Sequence, residues 1–155
     1  MKISPVRTAH DLHATAALFE AYAKSLPVDL SYQDFGAELA SLPGKYAPPR
    51  GELLLARDAA GEALGCVGLR PLDAAGCCEM KRLYLTPEAR GTGLGRVLVA
   101  AIIQCARDIG YSELRLDTLA TMTSAIGLYR QMGFAEIEPY YAPTPPGTTF
   151  MALRL

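Results

Sequence analysis

Leu85-Thr86-Pro87-Glu88-Ala89-Arg90-Gly91-Thr92-Gly93-Leu94-Gly95 joins two stretches whose apolar residues recur with different periods. Before it, Glu79 to Leu85 alternates charged with apolar residues, as a half-buried strand does, and Thr86-Pro87 ends the run. After it, Leu94, Val97, Leu98, Ala101, Ile102, Cys105 and Ile109 recur at helical spacing, which predicts a helix over Gly93 to Ile109 with these residues on its buried face. A strand that enters a helix through a glycine-rich turn is suited to hold an anion. The first amides of a helix lack carbonyl partners and carry partial positive charge, and a turn without side chains lets a ligand approach them. Gly91, Gly93 and Gly95 give that access, and Arg90 and Arg96 add charge-assisted donors for phosphate oxygens. Two competing motifs fail: G-x-G-x-x-G requires glycine where Arg96 stands, and a P-loop requires G-K-[ST] at its close. What is left is Arg-x-x-Gly-x-Gly, from Arg90 to Gly95.

Outward from this turn, the chain alternates short strands and helices. Ile3 to Val6 reads as a strand, and Thr8 or Asp11 caps a helix carrying Leu12, Ala16, Phe19 and Tyr22, which Pro27 ends. Ser31 and Asp34 have a capping-box-like spacing before a second helix with Phe35, Leu39 and Leu42 as its stripe. Leu53 to Arg57 and Leu64 to Arg70 flank Asp58-Ala59-Ala60-Gly61 and read as an antiparallel hairpin. Gly110 stops the long helix, Glu113 to Thr118 makes another strand, and a short helix runs through Ala125, Leu128 and Tyr129 to Gly133. A strand from Phe134, the Pro-rich segment from Pro139 to Gly147 and a closing strand from Thr149 to Leu155 complete the pattern. No internal repeat interrupts it, so residues 1–155 read as one domain of mixed α/β architecture.

Composition narrows the function further. The 155 residues are half apolar, enough for one buried core, and a net charge of −1 gives no broad field for nucleic acid or anionic membrane. No apolar run reaches signal-peptide or membrane-spanning length, which points to a cytoplasmic protein without membrane partners. Cys66, Cys77, Cys78 and Cys105 form no C-x-x-C pair, and Cys77 and Cys78 face opposite sides of a strand, so buried free thiols are expected. His10 and His13 share a helical face but have no cluster of further ligands, so no metal is expected.

The Arg90 to Gly95 turn resembles the pyrophosphate-binding motif that GNAT N-acetyltransferases use for coenzyme A. Glu79-Met80-Lys81-Arg82-Leu83-Tyr84-Leu85, Leu116-Asp117-Thr118-Leu119, the segment Ala125 to Phe134, Pro139-Tyr140-Tyr141 and Phe150 to Leu153 resemble, in order, a subfamily of small bacterial-type members. The resemblance implies a GNAT-like fold: a strongly bent, mixed but mostly antiparallel sheet of about seven strands with helices on both faces. It implies that coenzyme A enters where the strand with Leu83 and Leu85 splays from its neighbour, pairing with the backbone of Leu83, Tyr84 and Leu85. The pyrophosphate then lies on Arg90, Gly91, Thr92, Gly93, Leu94, Gly95 and Arg96. One departure stands out: many members carry Asn where this chain has Met122, and Ser124 or Thr123 is the available substitute.

The same resemblance implies acetyl transfer from acetyl-CoA to an amine by direct attack in a ternary complex. Tyr129 is then the acid at the departing sulfur. Glu79 is the candidate base; it is four residues, roughly 13 Å of strand, before Leu83, so it acts through water. Tyr32, Asp34 and Tyr141 are the candidate contacts to the acceptor, a small-molecule or peptide amine; Asp29 and Asp34 suit a cationic one. A homodimer is compatible with this reading. The alternative from another class is a non-catalytic acetyl-CoA-binding sensor or interaction module on the same fold. A route through an acetylated Cys77 or Cys78 is a minor third, because neither has a sequence neighbour to form its thiolate.

Overall fold

The computed structural model describes residues 1–155. Seven strands form one sheet in the order β1-β2-β3-β4-β5-β7-β6: β1 (Lys2–Pro5), β2 (Glu52–Arg57), β3 (Ala63–Pro71), β4 (Cys77–Leu85), β5 (Glu113–Thr118), β6 (Ala135–Ile137) and β7 (Thr149–Arg154). Every neighbouring pair is antiparallel except β4 with β5. Four helices accompany them: α1 (Ala9–Ser25), α2 (Phe35–Ala40), α3 (Leu94–Ile109) and α4 (Thr123–Gln131).

Both faces of the sheet are covered, and β2 shows why. Leu54 and Ala56 join a core with Val67, Leu69, Cys78, Met80, Leu114 and Leu116 under α3, whereas Leu53 and Leu55 pack with Leu18 and Phe19 of α1. Alternate residues of one strand thus feed two apolar layers. The buried face of α3 is Leu94, Leu98, Val99, Ile102, Ile103 and Ala106. This corrects the stripe read from the sequence: Val97 is 46% and Ile109 37% exposed. The helix is apolar over much of its circumference, so periodicity alone does not choose between Val97 and Val99.

Thr8 caps α1, its hydroxyl accepting from the Asp11 amide at 3.0 Å. The capping-box expectation for Ser31 and Asp34 is overturned. Asp29 instead caps a 3-10 turn at Leu30–Gln33 by accepting from the Ser31 amide, while Asp34 takes a left-handed conformation (φ 57°) and caps nothing. A short polar side chain tolerates that conformation, which lets the chain reverse before α2.

Two irregularities in β4 define the centre of the sheet. The β4–β5 ladder has only three residue pairs, Cys77–Glu113, Cys78–Leu114 and Glu79–Arg115, after which the strands part. On the other side, the β3 register shifts between Cys66, opposite Tyr84, and Gly68, opposite Lys81, so that Val67 faces both Arg82 and Leu83. Arg82 adopts φ 60° there, a bulge that turns its side chain toward α1 and α2.

Candidate active site

The opening between β4 and β5 leaves the β5-facing edge of Met80 to Leu85 without a partner strand, so its backbone groups are available apart from the Leu85 carbonyl, which accepts from Arg90. Leu83, Tyr84 and Leu85 are half-buried along it. A small cavity of about 30 Å³ in the opening is lined by Met80, Lys81, Leu83, Leu116, Asp117 and Tyr129, among others. Tyr129 reaches it from α4; its ring packs 5.7 Å from Phe134, and its hydroxyl has no hydrogen-bond partner in the protein. Burial pushes that phenol well above the ordinary tyrosine value, so the proton stays on the oxygen at neutral pH.

Beyond Leu85 the backbone enters the glycine turn. The amides from Gly91 to Arg96 donate to no backbone carbonyl. Gly91 (φ 76°) and Gly93 (φ 87°) have left-handed conformations, and a side chain at either would meet only open space. These are the features an anion cradle needs: free donors, no obstructing Cβ and a helix start. Gly95 is different, because a Cβ there would make ordinary contact with Leu85 and Leu128 and would not face open space. Arg90 is exposed, donates to the Leu85 carbonyl and lies over the Tyr84 ring, while Arg96 donates to Gln131. Leu94 is fully buried beneath the turn, and the Thr92 hydroxyl donates to the Ala89 carbonyl. Ser124 is exposed on the first turn of α4, where Met122 holds the cap position without a side-chain bond.

On the face of the sheet below α2 lies a larger cavity of about 650 Å³, lined by Tyr32, Asp34, Glu38, Arg70, Glu79, Arg115, Tyr140 and Tyr141, among others. Tyr32, Gln33 and Lys81 line both cavities and separate them. That wall is a buried polar network. The Lys81 ammonium donates to Asp117 Oδ1 and to Gln33 Oε1, both at 3.1 Å. The two protons of the Gln33 amide nitrogen are shared among Asp117, Tyr141 and Tyr32, all within hydrogen-bond distance, and Tyr141 donates to Asp117 at 2.7 Å. Burial drives the Lys81 pKa down, with Asp117 opposing; burial also pushes Asp117 up, but Lys81 and Tyr141 outweigh it and hold the carboxyl below its usual range. Arg82 lies between the Tyr22 and Phe35 rings and donates to Glu38 through Nε and a terminal nitrogen, and to Gln33.

Glu79 is buried, and both of its oxygens are engaged, one by Arg70 Nε at 2.9 Å and the other by the Tyr140 hydroxyl. Its ion-pair partner is Arg70. The candidate site residues therefore divide among the turn (Arg90 to Arg96), the opening (Leu83 to Leu85 and Tyr129) and the larger cavity (Tyr32, Asp34, Glu79 and Tyr141). Asp29 caps a turn instead of facing the cavity. Gln33, Glu38, Arg70, Lys81, Arg82, Arg115 and Asp117 are structural members of the site that sequence reasoning did not single out. One signal was present: Glu79 and Lys81 on β4 alternate in step with Glu113, Arg115 and Asp117 on β5, an unusual density of charge for central strands. All four cysteines are free, and burial raises Cys66 and Cys78 to about 12, which disfavours thiolates.

The family model for the acetyltransferase (GNAT) family matches residues 15–134, a span that contains β4, the glycine turn and α4. The chain belongs to the GNAT acetyltransferase family. Membership places it among the acyltransferases. An uncharacterized N-acetyltransferase of Schizosaccharomyces pombe is 44% identical over 155 residues, covering 100% of this chain and 95% of its own. The GNAT-family acetyltransferase of Staphylococcus aureus superposes with a TM-score of 0.80 at 19% identity, over 99% of each chain. A GNAT phosphinothricin acetyltransferase of Sinorhizobium meliloti, solved in complex with AcCoA, gives a TM-score of 0.73 at 19% identity over 99% of this chain and 88% of its own. Likeness at that identity concerns the fold. No helix is long and apolar enough to cross a membrane.

Proposed function

We propose that this chain is an acetyl-CoA-dependent N-acetyltransferase of one catalytic domain that acetylates a primary amine by direct attack within a ternary complex. The observation that carries this is a pair of cavities that abut across one wall at the β4–β5 opening. One adjoins a free strand edge and the Gly91 to Arg96 amides, and the other is a wide cleft on the opposite side of the Gln33–Lys81–Asp117 wall. Two substrates that must react directly need two approaches to one place.

The residues present fit a coenzyme A ligand. The amides of Gly91 to Arg96 take the pyrophosphate, Arg90 and Arg96 supplement their charge, and Leu83 to Leu85 offer backbone to the pantetheine arm. Ser124 supplies a hydroxyl in place of the absent Asn. When bound, acetyl-CoA supplies a thioester carbonyl that takes the amine and a sulfur that leaves. Amides on the free β4 edge stabilise negative charge at a carbonyl oxygen, and Tyr129 holds a proton on its hydroxyl for the departing sulfur. Glu79 acts on the ammonium proton through water, since its oxygens retain lone pairs beyond the bonds from Arg70 and Tyr140. Tyr32, Asp34 and Tyr141 contact the acceptor. Coenzyme A release across an amine panel, beside calorimetric titration with acetyl-CoA, tests the proposal. Saturable binding with no release for any amine would replace it with a sensor.

A further inference from the structure

The carboxylates on the floor of the larger cavity are already engaged by donors, while several donors beside them have no acceptor. Glu38 is engaged by Arg82 and Arg70, and Glu79 by Arg70 and Tyr140. The guanidinium groups beside them are less fully used. Strand register puts Arg70 opposite Glu79 on one side and Arg115 opposite it on the other. Arg115 donates through Nε to Glu113, and neither terminal nitrogen has a partner; Arg70 likewise has one terminal nitrogen without any. The Arg115 guanidinium lies 5.4 Å from the centroid of the Tyr140 ring, and its side chain is 23% exposed, so it is fixed in place yet open to the cavity. Tyr32 accepts from Gln33, which leaves its own hydroxyl proton free to donate. Asp34 and Asp73, the acidic groups without a partner here, are exposed at the rim.

A guanidinium with two free terminal nitrogens matches the two oxygens of a carboxylate, and one already held by Glu113 and Tyr140 loses little freedom on binding it. We propose that the acceptor is a small amino acid-type molecule, an amine that also carries a carboxylate, and that Arg115, with Arg70 beside it, takes the carboxylate. This rests on the acetyl-transfer reading above. The carboxylate then anchors the acceptor on the β5 side of Glu79, while its amine points along β4 and β5 toward the Lys81–Asp117 wall. Tyr32, Tyr140 and Tyr141 give the remaining contact area, suited to an apolar or aromatic side chain.

The test compares phenylalanine, leucine and tryptophan with their decarboxylated counterparts phenethylamine, isoamylamine and tryptamine. Coenzyme A release and calorimetric binding are measured for the wild type, Arg115→Gln and Arg115→Lys, each checked for an unaltered melting curve. At least one amino acid is expected to exceed its decarboxylated partner by about 10- to 100-fold in kcat/KM and in binding. Arg115→Gln should abolish that preference mainly through KM, and Arg115→Lys should keep part of it, since it retains the charge without the fork. Equal or better binding of the decarboxylated amines, no binding by any amino acid of the panel, or a preference that survives Arg115→Gln would overturn the proposal. Selective amino acid binding without coenzyme A release would uphold it and count against acetyl transfer alone.

Discussion

Replacing Asp117 by Asn removes the counter-charge of a buried ammonium without changing the shape of the side chain. Lys81 and Asp117 side chains are only 4% and 5% exposed, so water does little to screen the pair. Taking one partner from such a pair costs about 3–5 kcal/mol, because the other charge stays buried and uncompensated. For a chain of this size, at about 2–4 °C per kcal/mol, the melting temperature should fall by roughly 6 to 20 °C. The deficit should also depend on pH. Burial already holds Lys81 below its ordinary value, and loss of Asp117, with Arg82 and Arg70 nearby, depresses it further. Between that depressed folded value and the ordinary one near ~10.4 the unfolded chain binds more protons, so raising the pH restores stability to the variant. Differential scanning fluorimetry from neutral pH to about 9.5 reads both effects. The double variant Lys81→Met/Asp117→Leu should recover much of the loss, since both charges are gone. A melting temperature for Asp117→Asn within experimental error of wild type, or a deficit that widens with pH, would refute this account of the wall.

Tyr129→Phe keeps the packing against Phe134 and removes the proton donor, so turnover should fall on the order of 10²-fold while acetyl-CoA affinity, measured by calorimetry, holds. Gly93→Ala forces a side chain into a left-handed conformation and should cost about 1–2 kcal/mol in melting experiments and weaken acetyl-CoA binding. Gly95→Ala adds a methyl group in ordinary contact with Leu85 and Leu128 and should leave that affinity nearly unchanged. Tyr32→Phe, Asp34→Asn and Tyr141→Phe should each raise the acceptor KM with acetyl-CoA binding unaltered. Tyr141→Phe should also lose about 1–3 kcal/mol of stability as Asp117 loses a donor.

The strands, the long helix and the glycine turn were legible because each is written in local pattern: alternation in Leu53 to Arg57, helical spacing after Gly93, and glycine where φ must be positive at Gly91 and Gly93. The order of elements was legible for the same reason. The wall between the cavities was not, because it joins Gln33, Lys81, Asp117 and Tyr141 across more than a hundred residues of chain, and no local pattern specifies that meeting. Nor does the sequence announce the bulge at Arg82, since a non-glycine residue with positive φ gives no compositional sign. The misread cap at Ser31 and Asp34 had a local cause: Asp29, two residues upstream of Ser31, offers a competing carboxylate and takes the amide first.

The three residue pairs between β4 and β5 make the sheet two panels on a short seam, with β1 to β4 on one side and β5, β7 and β6 on the other. Since α3 packs on β2, β3 and β4, the second panel draws its attachment from that seam, from side chains such as the Lys81–Asp117 pair, and from the apolar layer beneath. Whatever pairs with the open edge of β4 therefore mends the sheet as well as occupying it. A molecule that bound there would supply the missing hydrogen bonds, and by mass action it would stabilise the seam more as its concentration rose.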